Sequence, residues 1–141
     1  MRTRLLAVVS GLLVLTAGAL ARPARAADAR GDWLLGAWEW GAHSRFEFTR
    51  AGDTIAWTMK RGRFESQNPR WGEKAAVEVS GTVTRISENS VELVGRYDWS
   101  DDRHLVGRTF RFWLKREGDV LRGEAVGAGN EVMPAVLRRV R

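Results

Sequence analysis

Residues 31–40 read GDWLLGAWEW, which places three of the chain's seven tryptophans, Trp33, Trp38 and Trp40, around a single glycine, Gly36. Large aromatic rings at this density indicate a core, because folding removes their apolar surface from water. We expect Trp33, Trp38 and Trp40 to belong to that core. The kind of core depends on the rest of the chain.

The start of the chain is typical of a secretory signal peptide. Two arginines precede an apolar run over residues 5–20, and the tripeptide Ala-Arg-Ala at 24–26 is a small-x-small cleavage signal. The apolar run has 16 residues, and a membrane-spanning helix needs about 20. We therefore expect residues 1–27 to be a signal peptide and residues 28–141 to be a single domain, periplasmic or secreted after cleavage.

The charge of the remaining chain is nearly balanced. The sequence has 23 Lys and Arg residues and 17 Asp and Glu residues, but four of the arginines and none of the acids lie in residues 1–27. Residues 28–141 therefore carry 19 basic and 17 acidic side chains, a net charge of +2. Nucleic-acid binding needs a dense basic face, so no nucleic acid is expected as a partner. The chain has no cysteine, so packing must stabilise it.

Apolar and polar residues alternate along almost the whole domain, which predicts half-buried β-strands. In SRFEFTR (44–50), Phe46 and Phe48 share one face, and Arg45 and Glu47 share the other. No segment has a convincing helical period. With the opening WLLGAWEW there are eight strands, the others being DTIAWTMK (53–60), AAVEVSGTV (75–83), VELVGRYD (91–98), TFRFWLKR (109–116), DVLRGEAVG (119–127) and VMPAVLRRV (132–140).

The connections between these strands indicate how the sheet closes. Tight turns at 50–53, 87–90 and 116–119 alternate with long links at 61–74 and 98–106. In an antiparallel meander, alternate connections fall at opposite ends. The tight turns therefore share one end, here called the turn end, and the long links share the other, here called the loop end. This pattern predicts an eight-stranded antiparallel up-and-down β-barrel, whose closure removes exposed edge strands.

The faces of the predicted strands argue against a membrane barrel, whose outer surface must be apolar. Basic side chains near the bilayer midplane would cost about 2–4 kcal/mol each. We therefore expect a barrel that is apolar inside, charged outside and not embedded in a membrane. The charged residues on the faces opposite the aromatic residues are Arg45, Glu47, Glu78, Glu92, Arg96, Arg111 and Lys115.

Two short motifs at the ends of the domain resemble those of a known superfamily. Gly36-Ala37-Trp38 matches the Gly-x-Trp signature of the first strand of lipocalins and their calycin relatives, and the chain ends LRRVR at 137–141. The domain resembles a bacterial lipocalin-like, calycin β-barrel. The resemblance implies that Trp38 closes the barrel floor and that a late arginine packs across it. We expect this to be Arg139, or Arg138 if the register of the last strand shifts by one residue.

The binding site is expected at the loop end, between residues 61–74 and 98–106. Trp57 and Met59 lead into the first link and Tyr97 reaches the same level, so these side chains should line the upper barrel. Arginines nearby would favour an acidic head group, such as a fatty-acid carboxylate. Trp113 should face outward and mark a surface contact. The remaining predicted ligand-binding residues are Phe64, Trp71 and Trp99, which would close over the top, with Arg61, Arg63 and His104 as polar groups.

Three functions are consistent with this reading. The first is a binding protein holding a small, mostly apolar or amphipathic ligand in a barrel open at the loop end. The second is a protein–protein module, such as a periplasmic enzyme inhibitor, that uses the same loops and holds no internal ligand. The third is a small barrel isomerase or cyclase. The volume of the interior separates the first two: five aromatic rings (Phe46, Phe48, Trp57, Phe110, Phe112) would fill it, whereas Gly81, Gly95, Gly123 and Ala125 would leave room.

Catalytic and cofactor motifs are scarce in the sequence. No Ser-His-Asp order, phosphate-binding glycine loop or paired-histidine motif occurs, so neither an enzyme nor a cofactor is predicted. Asp98, Asp101, Asp102 and His104 form a cluster whose spacing fits no known metal loop, and we interpret it as a solvated polar loop, leaving a metal site open. A haem ligand from His43 or His104 is the remaining alternative.

Overall fold

A computed structural model of the protein describes residues 31–66 and 72–141. The expected signal peptide and Trp71 lie outside these residues. A single 3-10 turn, Asp32–Leu34, comes before the first strand of the described chain. The strands are β1 (Gly36–Trp40), β2 (Ser44–Ala51), β3 (Thr54–Arg61), β4 (Phe64–Glu65), β5 (Glu73–Lys74), β6 (Val77–Ile86), β7 (Ser90–Ser100), β8 (Thr109–Glu117), β9 (Val120–Val126) and β10 (Val132–Arg139).

The eight longer strands close into one antiparallel barrel, which confirms the predicted fold class. Their order round the barrel is β1-β2-β3-β6-β7-β8-β9-β10, with β10 pairing back onto β1. Each strand is thus hydrogen-bonded to its neighbours in the chain, apart from the excursion through β4 and β5. Those two strands form a separate hairpin of two residues each within the first long link, too short for the alternation to predict.

The tight turns and the long connections lie at opposite ends, as the meander requires. Gly52 and Gly118 occupy two of the tight turns with φ of 62° and 61°, backbone angles that cost a glycine little and most other residues more. The 3-10 turn covers this turn end: Trp33 and Leu34 in it are buried, and Trp33 Nε1 donates to the Ser87 carbonyl at 3.4 Å. In the described residues, no helix is long and apolar enough to cross a membrane.

Aromatic rings meet across the lumen. Strands β2 and β8 lie on opposite sides of the barrel, four places apart in either direction, yet the ring centroids of Phe46 and Phe112 are only 5.4 Å apart. Phe112 also lies 5.9 Å from Trp57 and 4.8 Å from Phe110. An eight-stranded barrel has an interior just wide enough for side chains to fill or for one small ligand. Here side chains occupy its middle.

The glycines that were expected to leave room face a tryptophan or a neighbouring strand. A Cβ atom added at Gly95 would lie 2.6 Å from the indole of Trp57, and one added at Gly81 would lie 2.0 Å from the Val94 carbonyl oxygen. At Gly123 the same atom would lie 1.9 Å from the Trp113 carbonyl oxygen. The missing side chains therefore permit close packing and do not leave room at these three positions.

Candidate functional site

The floor of the barrel joins its first and last strands. The register of β1 and β10 places Trp38 directly opposite Arg139, and the Arg139 guanidinium carbon lies 4.3 Å from the centroid of the Trp38 ring. Arg138, the alternative, pairs with Glu39 and is exposed. Trp38 is fully buried. The contact expected at the turn end is present, and it involves Arg139.

The side chains expected to line the upper barrel do face inward. Trp57, Met59 and Tyr97 are buried, and the Trp57 Nε1 donates to the Thr82 carbonyl at 3.1 Å. Tyr97 packs against the ring of Phe110, with centroids 5.6 Å apart. These residues therefore belong to the packed interior of the barrel, and their apolar surface is already covered by protein.

At the loop end, Phe64 contacts the connection between β1 and β2. Its ring stacks on that of His43, with centroids 4.1 Å apart and planes within 10°. The Arg61 guanidinium carbon lies 5.7 Å from the Phe64 centroid. Arg61 also donates from Nε and Nη2 to the Ala75 carbonyl, at 3.3 and 2.8 Å. Stacking therefore joins the start of the first long link to the β1–β2 connection, and hydrogen bonds join it to the end of the same link.

Electrostatic conditions at the mouth follow from burial. Burial raises the pKa of the Tyr97 phenol to about 12, although the nearby Arg61 cation opposes the shift. Burial also lowers the pKa of the Arg61 guanidinium, opposed by Tyr97 and Asp101. Both groups keep their ordinary neutral-pH forms, so the mouth presents a neutral phenol beside a partly buried cation.

Arg63 connects the two long links instead of standing free for a ligand. Its Nη1 donates to Glu73 at 2.9 Å, and its Nε and Nη2 donate to Asp101 at 2.9 and 2.5 Å. These hydrogen bonds, that to Glu73 foremost, raise the pKa of the Arg63 guanidinium. The side chain is exposed, so the energy of each pair is small. Its geometric effect is to tie the β4–β5 hairpin to the β7–β8 loop.

The acidic cluster of the β7–β8 loop serves the loop itself. The Asp102 carboxylate accepts the His104 backbone N–H at 3.0 Å, and the Asp102 backbone N–H donates to Ser100 Oγ at 3.0 Å. Asp101 is engaged by Arg63. Within residues 31–66 and 72–141, no group of three or more His, Cys, Asp or Glu side chains could hold a metal ion. His104 lies exposed on the loop.

Trp99 lies on the outer wall of the barrel, so the expectation that it closes over the mouth was wrong. The pairing of β6 with β7 shifts register between Glu78 and Val79, which inserts one extra residue into β7 at Asp98. Asp98 and Trp99 then face outward in succession, between the buried Tyr97 and Ser100. An extra residue of this kind reverses the side on which the following side chains lie. Trp99 is 49% exposed.

The β7–β8 loop carries a second exposed apolar side chain, which sequence reasoning did not single out. Val106 is 48% exposed. Three backbone hydrogen bonds fix the chain around it: the Gly107 N–H donates to the Tyr97 carbonyl, the Tyr97 N–H to the Arg108 carbonyl, and the Arg108 N–H to the Leu105 carbonyl. Trp99, near the end of β7, and Val106, in the loop that follows it, are here called the rim pair. The signal available in the sequence was the apolar pair Leu105-Val106 in a loop whose other side chains are polar or glycine.

Comparison of the chain with protein-family models, with curated proteins and with solved structures finds no match. The class of protein is therefore defined by the architecture alone. It is an all-β, eight-stranded antiparallel closed barrel, with its floor sealed by Trp38 and Arg139 and its middle filled by aromatic rings.

Proposed function

We propose that the protein is an exported protein–protein interaction module of the lipocalin-like, calycin kind, with the loop end as its contact surface. An enzyme inhibitor is the form of module that this arrangement suits best. The observation that carries the proposal is the contact of Phe46 with Phe112 across the lumen, at 5.4 Å between centroids. A carrier of apolar ligands needs that volume, whereas a module that acts through its surface does not.

The rim pair supports the choice of the loop end. Trp99 and Val106 are about half exposed, and exposed aromatic residues are enriched in the centres of protein interfaces. Arg63 holds the two long links together through Glu73 and Asp101. A loop surface that is ordered before binding loses less entropy when it binds, and this raises affinity.

Export is the second part of the proposal. The apolar run over residues 5–20 and the Ala-Arg-Ala sequence at 24–26 are features of a cleaved leader. N-terminal sequencing of the protein from the cells that make it should find a chain that begins at residue 27 or residue 28. A mature chain that still carries residues 5–20 would contradict export by this route.

Site-specific photo-crosslinking in the producing cells tests the contact surface. A photoreactive phenylalanine analogue at position 99 or 106 should capture the same protein, and the analogue at Thr58, on the outer face of β3, should not. The captured protein is then purified and titrated with the barrel. We expect Trp99→Ser to weaken binding at least about tenfold, as for a central interface aromatic, and Trp113→Ser to leave it unchanged.

Two results would overturn the proposal. One is capture of unrelated proteins at positions 99 and 106, or equal capture at Thr58, because a specific surface selects one partner. The other is a small molecule retained in stoichiometric amount by the protein purified from its own compartment, as seen by native mass spectrometry. That result would restore the small-ligand carrier as the better explanation. If the captured partner is an enzyme, loss of its activity on adding the barrel identifies the inhibitor form.

A further inference from the structure

Trp113 stands in the middle of the outer wall formed by β7, β8 and β9. It is 42% exposed, and among the described residues it makes no ring stacking or cation–π contact. Its neighbours in the sheet are fixed by the register: Glu92 lies opposite it on β7 and Glu124 lies opposite it on β9. Trp113 is thus a large, exposed apolar side chain that stands between two carboxylates on a wall with many charged residues.

The charges around Trp113 form a cross. Glu92 and Glu124 flank it along the direction perpendicular to the strands, whereas Arg111 and Lys115 flank it along β8, two residues away on either side. Strand spacing and rise separate the two acids by about 10 Å and the two bases by about 13 Å. The acidic arm and the basic arm of the cross are therefore similar in length and meet at the indole.

These charges are poorly satisfied within the chain. Within the described residues, ion pairs involve neither Glu124 nor Arg111 nor Lys115, and Glu92 meets only Arg85, at 3.9 Å with the arginine 80% exposed. Exposed pairs of that kind contribute little. A surface groove of about 490 Å³ lies beside the indole, and its charged lining residues are Glu92, Lys115 and Glu124 with Arg85 and Arg122. Arg122 is paired with Glu117. The groove is large enough to accept another indole.

We propose that this wall binds a second copy of the same chain, as a two-fold symmetric dimer in which the strands of the two walls cross at about 90°. At that angle the acidic arm of each copy lies over the basic arm of the other, so four opposite-charge contacts surround the two Trp113 rings. With the strands of the two copies aligned, acids would lie over acids and bases over bases, which is repulsive. The four charges of the cross are thus complementary to those of a second copy at this crossing angle.

The interface is small, and this sets the expected affinity. The cross spans three strands and about 13 Å of β8, so the buried area falls in the range of weak, transient contacts. We expect a dissociation constant on the order of 10–100 µM at low salt. The dimer does not depend on the partner proposed for the rim pair, because Trp113 and Trp99 lie on separate parts of the surface.

Sedimentation equilibrium of residues 28–141 measures the dimer directly. The mass should rise towards two copies between about 5 and about 500 µM protein, and it should fall again when salt is raised, because screening weakens the charged contacts. Trp113→Ser should weaken association at least about tenfold. Trp99→Ser removes a tryptophan of similar exposure from the rim pair and should leave association unchanged.

A charge exchange tests the crossing angle. One variant carries Glu92→Arg and Glu124→Arg, and the other carries Arg111→Glu and Lys115→Glu. Each variant alone has like charges on both arms and should stay monomeric, but an equimolar mixture should form a mixed dimer, because every contact then joins opposite charges. Far-ultraviolet circular dichroism of each variant checks that the barrel is folded.

The proposal is overturned by a wild-type chain that remains monomeric at about 500 µM in low salt, or by a dimer that survives Trp113→Ser and is lost in Trp99→Ser. It is also overturned if the folded charge variants dimerise alone as well as they do together. Because the readout is the mass of the purified chain, these outcomes are independent of whether any other protein binds the rim pair.

Discussion

The Arg139 guanidinium covers the indole of Trp38 at 4.3 Å from its centroid, and the same cation donates to the carbonyl groups of Trp33 and Leu35. Trp38 in turn donates from Nε1 to the Leu34 carbonyl at 2.8 Å. The two side chains therefore satisfy three consecutive carbonyls of the turn that covers the barrel floor. Because Trp38 lies on β1 and Arg139 on β10, these hydrogen bonds attach the turn to the two strands that close the barrel.

Replacing Arg139 should destabilise the barrel through this coupling. Arg139→Ala removes the cation–π contact, about 0.5–2 kcal/mol, and leaves two part-buried carbonyls without their donor, about 1–3 kcal/mol more. We expect a total loss of about 2–4 kcal/mol in the free energy of unfolding, measured by urea denaturation. Arg138→Ala is the matched control, because the Arg138 side chain is exposed; its effect should stay within about 0.5 kcal/mol. Equal losses in both variants would show that the floor contact is unimportant.

Gly95 should not tolerate even one methyl group. An added Cβ would lie 2.6 Å from Trp57 Cζ2 and 2.8 Å from the Ser80 carbonyl oxygen, so Gly95→Ala should cost about 1–3 kcal/mol through overpacking. Gly62→Ala is the control, because its added Cβ would have open space around it and its φ is not positive. Thermal unfolding of the two variants compares them. A Gly95→Ala protein as stable as wild type would mean that Trp57 can move aside and that the lumen has spare volume.

The strands and their arrangement were predictable because both depend on local patterns. Alternation puts Phe46 and Phe48 on one face whatever the rest of the chain does, and short turns can only join adjacent antiparallel strands. The closing contact was implied by the resemblance to lipocalin-like barrels, and the meander agrees with it, because the start of the first strand then lies beside the end of the last. Trp38 and Arg139 are at those positions.

The site was less predictable, because it depends on single insertions and on volumes. One extra residue at Asp98 turned Trp99 outward, and no local preference in the sequence marks that position. Whether the barrel is hollow depends on whether large side chains pack over glycines of other strands, as Trp57 packs over Gly95. The alternation of apolar residues identifies the side chains of the interior, but it does not show which of them contact one another. Trp71 lies outside the described residues, so its expected role is still a prediction.

The ionisation of Tyr97 offers a test of how well its phenol is shielded from water, without interference from other residues. It is the only tyrosine of the chain, so the ultraviolet difference absorbance of phenolate reports this side chain alone. We expect it to titrate with a pKa of about 12 in the folded protein and about 10 in denaturant. Since the folded state holds this proton more tightly, stability should fall as pH rises between those two values.

Tyr97→Phe should abolish the absorbance change and remove that part of the pH dependence of unfolding. The variant loses only the hydroxyl, so its ring can keep its packing against Phe110. A phenol that titrates near 10 in the folded protein would instead mean that water reaches Tyr97 through the mouth. In that case the lumen would be open to water at the loop end, and a ligand could enter it.

Removing Phe112 should create the cavity that the wild-type barrel lacks at its middle. The Phe112 ring contacts Phe46, Trp57, Phe110 and Trp40, at 4.8–5.9 Å between centroids, so Phe112→Ala should cost about 3–5 kcal/mol and leave an apolar space. Dry cavities of this kind bind benzene-sized molecules, and binding to the folded state raises the melting temperature. Benzene should therefore stabilise Phe112→Ala, or the milder Phe112→Leu if the alanine variant does not fold, and should not stabilise wild type. Trp113→Ala, one residue along β8 but facing outward, should also show no response. A wild-type barrel stabilised by benzene as much as the variant would reveal an accessible lumen and return the protein to the class of small-ligand carriers.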